Sequence, residues 1–202
     1  MDERGRRPGD DLISVLVASR EEGRLTAAEV SAQCQLLFSA GHQTVIYQLC
    51  NAVHAFLSHL GQLRRLQADP SLIGPAVEES FRYDPAVAFL PKVAAADLEI
   101  GGRPISEGQV VLLGIAAANR DPEVFPDPDR CDVGRAARPH VSFGTGAHAC
   151  LGMGLARLEL EVALLTLFRQ FPCLRLDPAD PPRRRCETLM FRGFELLPVV
   201  AS

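Results

Sequence analysis

Apolar residues recur at helical spacing over several long stretches of the chain, and at strand spacing over a shorter middle section. Leu12, Ile13, Val15, Leu16 and Val17 follow Asp10 and Asp11, which can cap a short helix, while Arg4 to Gly9 form a polar lead-in. Thr26-Ala27-Ala28-Glu29 is a capping box, and no proline intervenes between it and Pro70. The pattern predicts a helix over about 26–60, some 45 Å long for roughly thirty residues. The alternative is two helices broken near Gly41. Gly61 to Leu66 predicts a short helix stopped by Asp69-Pro70, and residues 73–83 predict another, ended by Asp84-Pro85.

The period then changes. Leu98 to Ile105, with Gly101-Gly102 at its centre, predicts a hairpin, and Gln109 to Leu113 a further strand. Asp121 to Arg138 is rich in proline, aspartate and arginine and predicts an ordered meander, so that sheet and meander together occupy about 92–138. A glycine-rich turn and a long apolar-periodic run predict a loop and helix over 140–171. The tail, about 187–200, is expected to fold as a hairpin around Arg192-Gly193. Pro181-Pro182-Arg183-Arg184-Arg185 reads as a solvated loop, with docking of a redox partner as its other use. The fold class is mainly α with a small antiparallel β component.

With 202 residues the chain can bury a substantial core and reads as one domain, or as part of a larger one. A net charge of −4 argues against nucleic-acid binding and membrane steering. No apolar run is long enough for a signal peptide or a membrane span, so a cytoplasmic location is expected. Cys34, Cys50, Cys131, Cys150, Cys173 and Cys186 show no paired spacing; in a reducing compartment they remain thiols, and no zinc motif is present.

The candidate chemistry lies in Phe143-Gly144-Thr145-Gly146-Ala147-His148-Ala149-Cys150-Leu151-Gly152. A cysteine at the head of a helix meets unpaired amides and a dipole that favour thiolate. Gly144 and Gly146 allow the backbone to turn amide hydrogens toward the sulfur, and Phe143 can cover it. Such a thiolate suits an axial ligand to haem iron. A cysteine in this setting can also be a buried small hydrophobe. Gly144-x-Gly146-x-x-Ala149 also matches a loose dinucleotide fingerprint, but helix, carrying Glu159 and Glu161, continues where that fold needs a second strand.

The loop resembles the haem-ligand loop of the cytochrome P-450 superfamily, Phe-x-x-Gly-x-x-x-Cys-x-Gly. Ala40-Gly41-His42-Gln43-Thr44 is similar to that family's oxygen-binding groove, Ala-Gly-x-[Asp/Glu]-Thr, with Gln43 in place of the usual acid. Glu79-x-x-Arg82, Asn119-Arg120-Asp121-Pro122 and Phe125-Pro126-Asp127-Pro128-Asp129-Arg130 resemble its Glu-x-x-Arg helix and meander.

The resemblance implies a role for each of these residues. By it, Cys150 ligates the iron of heme b (iron protoporphyrin IX), and Ser142, Phe143, Gly144, Leu151, Gly152 and Ala156 contact the cofactor. His148 and Lys92 meet its carboxylates, Lys92 standing where arginine is usual and lacking the bidentate fork. Thr44, with Ala40 and Gly41, cradles oxygen and helps deliver protons for O–O cleavage. Gln43 cannot carry a proton at neutral pH. Glu79, Arg82 and Arg130 form a buried ionic network, and Cys131 is a small filler where phenylalanine is common. Val87, Phe89, Leu36 and Ser39 face the substrate, or are plain core.

The activity implied by the resemblance is that of a haem-thiolate monooxygenase using a small organic substrate and NAD(P)H electrons delivered through a ferredoxin and its reductase. The resemblance covers the whole chain but only the C-terminal half of a typical member. A fragment, a partner supplying a separate N-terminal half, and a non-catalytic binding or structural relative are the three ways to account for that.

Overall fold

Two capping motifs start the helices in the computed structural model, which describes residues 2–136 and 139–201. Ala137 and Arg138, the last positions of the expected meander, lie outside the described residues. The chain divides into two compact units, Met1–Gln43 and Thr44–Ser202.

In the first unit the polar lead-in contains a short helix that the sequence did not predict, α1 (Asp2–Arg6). Helix α2 (Leu12–Glu21) is capped by Asp11, whose Oδ1 accepts from the Ser14 amide and hydroxyl at 2.8 and 2.9 Å. Thr26 and Glu29 form the reciprocal box: the Thr26 N–H donates to Glu29 Oε2 (2.7 Å), and the Glu29 N–H to Thr26 Oγ1 (3.2 Å). Helix α3 (Ala27–Ser58) runs unbroken through Gly41 and into the second unit. Its 32 residues span about 48 Å.

The second unit is built on the last turns of α3, with α4 (Leu60–Ala68), α5 (Ile73–Tyr83) and α7 (Met153–Gln170). Phe56, Ala76, Val77, Leu160 and Leu164 are fully buried, and the Phe56 ring meets Phe168 edge-on at 6.3 Å. Burying side chains of this size is worth roughly 1.5–3 kcal/mol each, which fixes α7 against the α3–α5 layer.

The strands are short and pair two by two. β1 (Phe89–Val93) lies antiparallel to β4 (Val110–Gly114), Phe89 opposite Gly114. The sequence did not show β1, because Pro91 lacks a ladder donor; an isolated pair tolerates it. β2 (Leu98–Ile100) and β3 (Arg103–Ile105) form a hairpin whose turn glycines, Gly101 and Gly102, have φ of 58° and 76°. A short helix, α6 (Ile115–Ala118), follows β4.

The tail differs from the expected hairpin. β7 (Phe194–Leu196) pairs with β6 (Arg183–Arg184), and β8 (Val199–Val200) pairs with β5 (Arg175–Leu176). Gly193 is a packing glycine and not a turn glycine: a Cβ there would lie 2.7 Å from the Tyr47 ring. The arginine-rich segment is likewise no free loop. The Arg184 guanidinium lies 4.0 Å over the Phe194 ring and 2.6 Å from Asp84 Oδ2.

Asp84 anchors a polar knot that the sequence did not reveal. Arg192 Nε reaches its Oδ1 at 3.0 Å, and Asn51 and Gln48 on α3 donate to its backbone carbonyl at 3.1 and 3.3 Å. Gln48 also accepts from the Ala86 N–H (2.8 Å), and Asn51 from Arg184 (3.1 Å). With both amides buried and bonded at both ends, the knot pins α3 to the chain leaving α5.

Candidate functional site

The cysteine loop is shaped by two glycines in the left-handed region, Gly144 (φ 67°) and Gly146 (φ 75°). They turn the chain so that the Cys150 N–H donates back to the Phe143 carbonyl at 2.8 Å, closing the loop. A single 3-10 turn, Gly146–His148, occupies its middle, and α7 begins at Met153. Cys150 and His148 are exposed, as are Gly144 and Gly152. Around the thiol the surface is bare and apolar: Leu151 is 88% and Leu155 60% exposed, and a Cβ on Gly146, Gly152 or Gly154 would meet nothing within 4 Å.

Phe143 is half-buried, its ring 4.5 Å from that of Phe81 on α5. Ser142, expected at the cofactor, anchors the loop to the scaffold. Its hydroxyl donates to the Phe81 carbonyl and accepts from Asn119 Nδ2, both at 2.7 Å, which commits it to the scaffold. Asn119, fully buried, also accepts from the Val141 N–H (2.9 Å) and so holds the entry to the loop. Ala156 packs half-buried against the core.

Behind the loop lies the ionic network. Arg82 grips Glu79 with two charge-assisted bonds, Nε to Oε2 at 2.7 Å and Nη2 to Oε1 at 2.9 Å. The two side chains are 2% and 1% exposed. Arg82 spends its remaining donors on the carbonyls of Asn119, Pro128 and Arg130. The third member of the network, the second cation on Glu79, is Arg135 (Nε to Oε2, 3.1 Å), not Arg130. The meander wraps Arg135: its Nη atoms donate to the carbonyls of Pro126, Asp127 and Arg130, with Asp127 taking a positive φ of 49°. Arg130 thus contributes its carbonyl, while its side chain is 60% exposed and lies 3.5 Å from Asp132. Cys131 is a buried filler beside this network; burial and the Glu79 charge push its thiol up to about 12, so it is inert.

A second ion pair, unseen in the sequence because its partners are far apart in it, joins α5 to the helix that follows the cysteine. Arg157 on α7 forms a fork with Glu78 on α5, Nε to Oε1 at 2.6 Å and Nη2 to Oε2 at 2.9 Å. His140 Nε2, buried, lies 3.3 Å from Glu78 Oε2, within ion-pair reach but outside hydrogen-bond geometry. Burial alone would raise the Glu78 carboxyl. The close approach of His140 and the Arg157 fork outweigh it and bring the group down to about 2.

The small-residue segment of α3 straddles the unit boundary, with Ala40, Gly41 and Gln43 in the first unit and Thr44 in the second. Ala40, Gly41 and Gln43 are exposed, and Thr44 is half-buried. Leu36 and Ser39 are exposed on the same helix, the Ser39 hydroxyl donating to the Leu36 carbonyl at 3.2 Å. Val87 bridges to Phe191, Phe89 packs near Gly114, and Lys92 is exposed on β1. Among the described residues no group of three or more His, Cys, Asp or Glu side chains could hold a metal ion, and no helix is long and apolar enough to cross a membrane.

The Cytochrome P450 family model matches residues 71–194. The biotin biosynthesis cytochrome P450 of Bacillus subtilis strain 168 is 44% identical over 196 residues, which are 97% of this chain and 49% of that protein. The 6-deoxyerythronolide B hydroxylase of Saccharopolyspora erythraea is 42% identical, over 98% of this chain and 50% of that one. Among solved structures, P450BioI in complex with an acyl carrier protein ligated to hexadec-9Z-enoic acid superposes with a TM-score of 0.93 at 42% identity, over 100% of this chain and 51% of that chain. The tirandamycin C-bound P450 monooxygenase TamI gives 0.93 at 41%, with the same two coverages. The chain spans about half the length of the curated relatives it matches.

Proposed function

The chain belongs to the cytochrome P450 family, and from that premise we propose that it is the cofactor-bearing half of a haem-thiolate monooxygenase. The observation that carries this reading is the Cys150 loop, an exposed thiol at the head of α7 on a turn built by two left-handed glycines. The donor chemistry fits haem. One thiol with no ligand cluster around it among the described residues suits a metal whose remaining positions are filled by its own macrocycle. The bare glycine surface and exposed Leu151 and Leu155 suit a flat apolar ring.

In this reading Cys150 would hold the haem iron through its sulfur, with Phe143, Gly144, Leu151, Gly152 and Ala156 beside it. His148 and Lys92 would meet its two propionates. A haem held there would supply the redox chemistry by which one atom of dioxygen enters a small organic substrate and the other leaves as water. Ala40 and Gly41 leave room beside α3, and the Thr44 Oγ1 hydroxyl is the proton donor of that groove. Gln43, an amide, holds water there without carrying a proton. Gln43→Glu should therefore lower peroxide release per NAD(P)H consumed; unchanged release would remove Gln43 from the proton path.

Electrons come from NAD(P)H through a ferredoxin and its reductase. A further stretch of the fold, in this polypeptide or another, completes the enclosure. Leu155, Leu158 and Val162, with Leu151 in the turn before them, support that: the three recur at helical spacing on one exposed face of α7, an apolar stripe that calls for a cover.

The test is a hemin titration of the full chain followed by reduction under carbon monoxide. Uptake of one haem per chain, with a Soret band at the long-wavelength thiolate position, is expected. No uptake would overturn the reading and leave the chain as a non-catalytic relative, a binding or structural partner whose α7 stripe meets another protein.

A further inference from the structure

We infer that Glu78, Arg157 and His140 are positioning residues for Cys150, a clamp in which one carboxylate on α5 holds both ends of the cysteine loop. At the entry, the His140 ring sits 3.3 Å from Glu78 Oε2, and its Nδ1 accepts the Ser142 N–H at 3.3 Å. At the exit, Arg157 stands two turns beyond Cys150 on α7 and takes both Glu78 oxygens in a bidentate fork, at 2.6 and 2.9 Å.

Between the two arms lies Phe143. The Arg157 guanidinium covers its ring at 4.8 Å, the His140 ring lies 5.6 Å away, and Phe81 closes the third side at 4.5 Å. Phe143 is also the residue whose carbonyl accepts the Cys150 N–H. Any rotation of the Phe143 peptide therefore moves the amide that fixes Cys150, and with it the sulfur. The two arms and the aromatic box act on that single peptide. Removing either arm leaves the ring held by Phe81 and the remaining arm alone.

The Glu79 network mainly serves a different segment: its arginines donate to the carbonyls of the meander, and only Arg82 also reaches the Asn119 carbonyl. The purpose of the clamp depends on Cys150 serving as a metal ligand, as proposed above; its geometry does not. Placement of a ligand to within about half an ångström is what such supporting contacts achieve in metal sites.

The experiment is amide hydrogen exchange on the full chain without cofactor, comparing the parent with Arg157→Gln, Glu78→Gln, Arg157→Lys and the control Glu161→Gln. Exchange at the Cys150 amide should quicken about five- to twentyfold in Arg157→Gln and Glu78→Gln. Arg157→Lys keeps the charge without the fork and should fall between them and the parent. The Leu164 amide, in the core of α7, reports only the loss of overall stability and should quicken less than the Cys150 amide, while both amides should keep their parent rates in Glu161→Gln. Should Arg157→Gln fail to fold, Arg157→Lys carries the same comparison.

Unchanged exchange at Cys150 would overturn the clamp, and so would an equal acceleration at Leu164, which would mean general destabilisation. In haem-loaded protein the share of the long-wavelength carbon monoxide band should drop in Arg157→Gln and recover partly in Arg157→Lys. If the parent takes up no haem but its variants show the local exchange effect, the monooxygenase reading fails and the clamp stands. The reverse pattern sinks the clamp alone.

Discussion

Replacing Glu79 by glutamine isolates the energetics of the buried network. The carboxylate is 1% exposed and accepts from Arg82 twice, from Arg135 and from the Asp132 N–H at 2.8 Å. Glutamine is nearly isosteric but neutral, so two guanidinium groups lose their counter-charge inside the protein. One amide oxygen can still accept from Arg82; the amide NH2 faces donors. Breaking a buried pair by removing one partner costs about 3–5 kcal/mol, and the retained neutral bond returns about 1 kcal/mol. The expected loss is therefore about 3 kcal/mol, a large part of the roughly 5–15 kcal/mol that holds a domain folded. With a urea slope of about 2 kcal/mol per molar, the unfolding midpoint of the full chain, followed by far-ultraviolet circular dichroism, should fall by about 1.5 M. Glu78→Gln, at a side chain 40% exposed, should lower it by no more than about 0.5 M, since screened pairs are worth about 1 kcal/mol or less. If Glu79→Gln shifted the midpoint no further than Glu78→Gln, burial would not be what gives the network its strength.

Glu78 also predicts a pH dependence. Its folded carboxyl is depressed to about 2 from an ordinary 4.5, so its contribution is complete above about 4.5 and is lost as pH falls toward 2. Screening of this half-exposed group limits that contribution to about 1 kcal/mol; acid titration of stability should lose that much over this window in the parent and not in Glu78→Gln. Gly146→Ala should destabilise by about 1–2 kcal/mol through backbone strain alone, because φ is 75° and the added Cβ meets nothing; an unchanged urea midpoint would mean the loop can relax its turn. Cys131 should resist iodoacetamide in the native state while the exposed Cys150, Cys173 and Cys186 react, as mass spectrometry of tryptic peptides would report.

Much of this architecture was legible in local sequence. The Thr26–Glu29 box, the Gly101-Gly102 turn and the periodicity of α5 each depend on residues within a few positions of one another, and so does the Cys150 loop with its left-handed glycines. What escaped was tertiary. Arg130 and Arg135 lie in one irregular segment, and nothing in their spacing says which guanidinium the meander will enclose around Glu79. The pairing of β7 with β6 in place of a tail hairpin follows from the seat of Arg184 on Phe194 and Asp84, a contact between distant parts of the chain. Gly193 looked like a turn and is a gap for Tyr47. The Glu78–Arg157 fork joins two helices whose own patterns give no hint of each other.

The central claim is that the sulfur of Cys150 binds haem iron, and a sulfur-to-oxygen exchange at that position tests it most directly. Reduced, carbon monoxide-treated protein carrying Cys150→Ser should lose the long-wavelength Soret band, while Cys173→Ser keeps it. A Cys150→Ser protein with the parent spectrum would contradict the account.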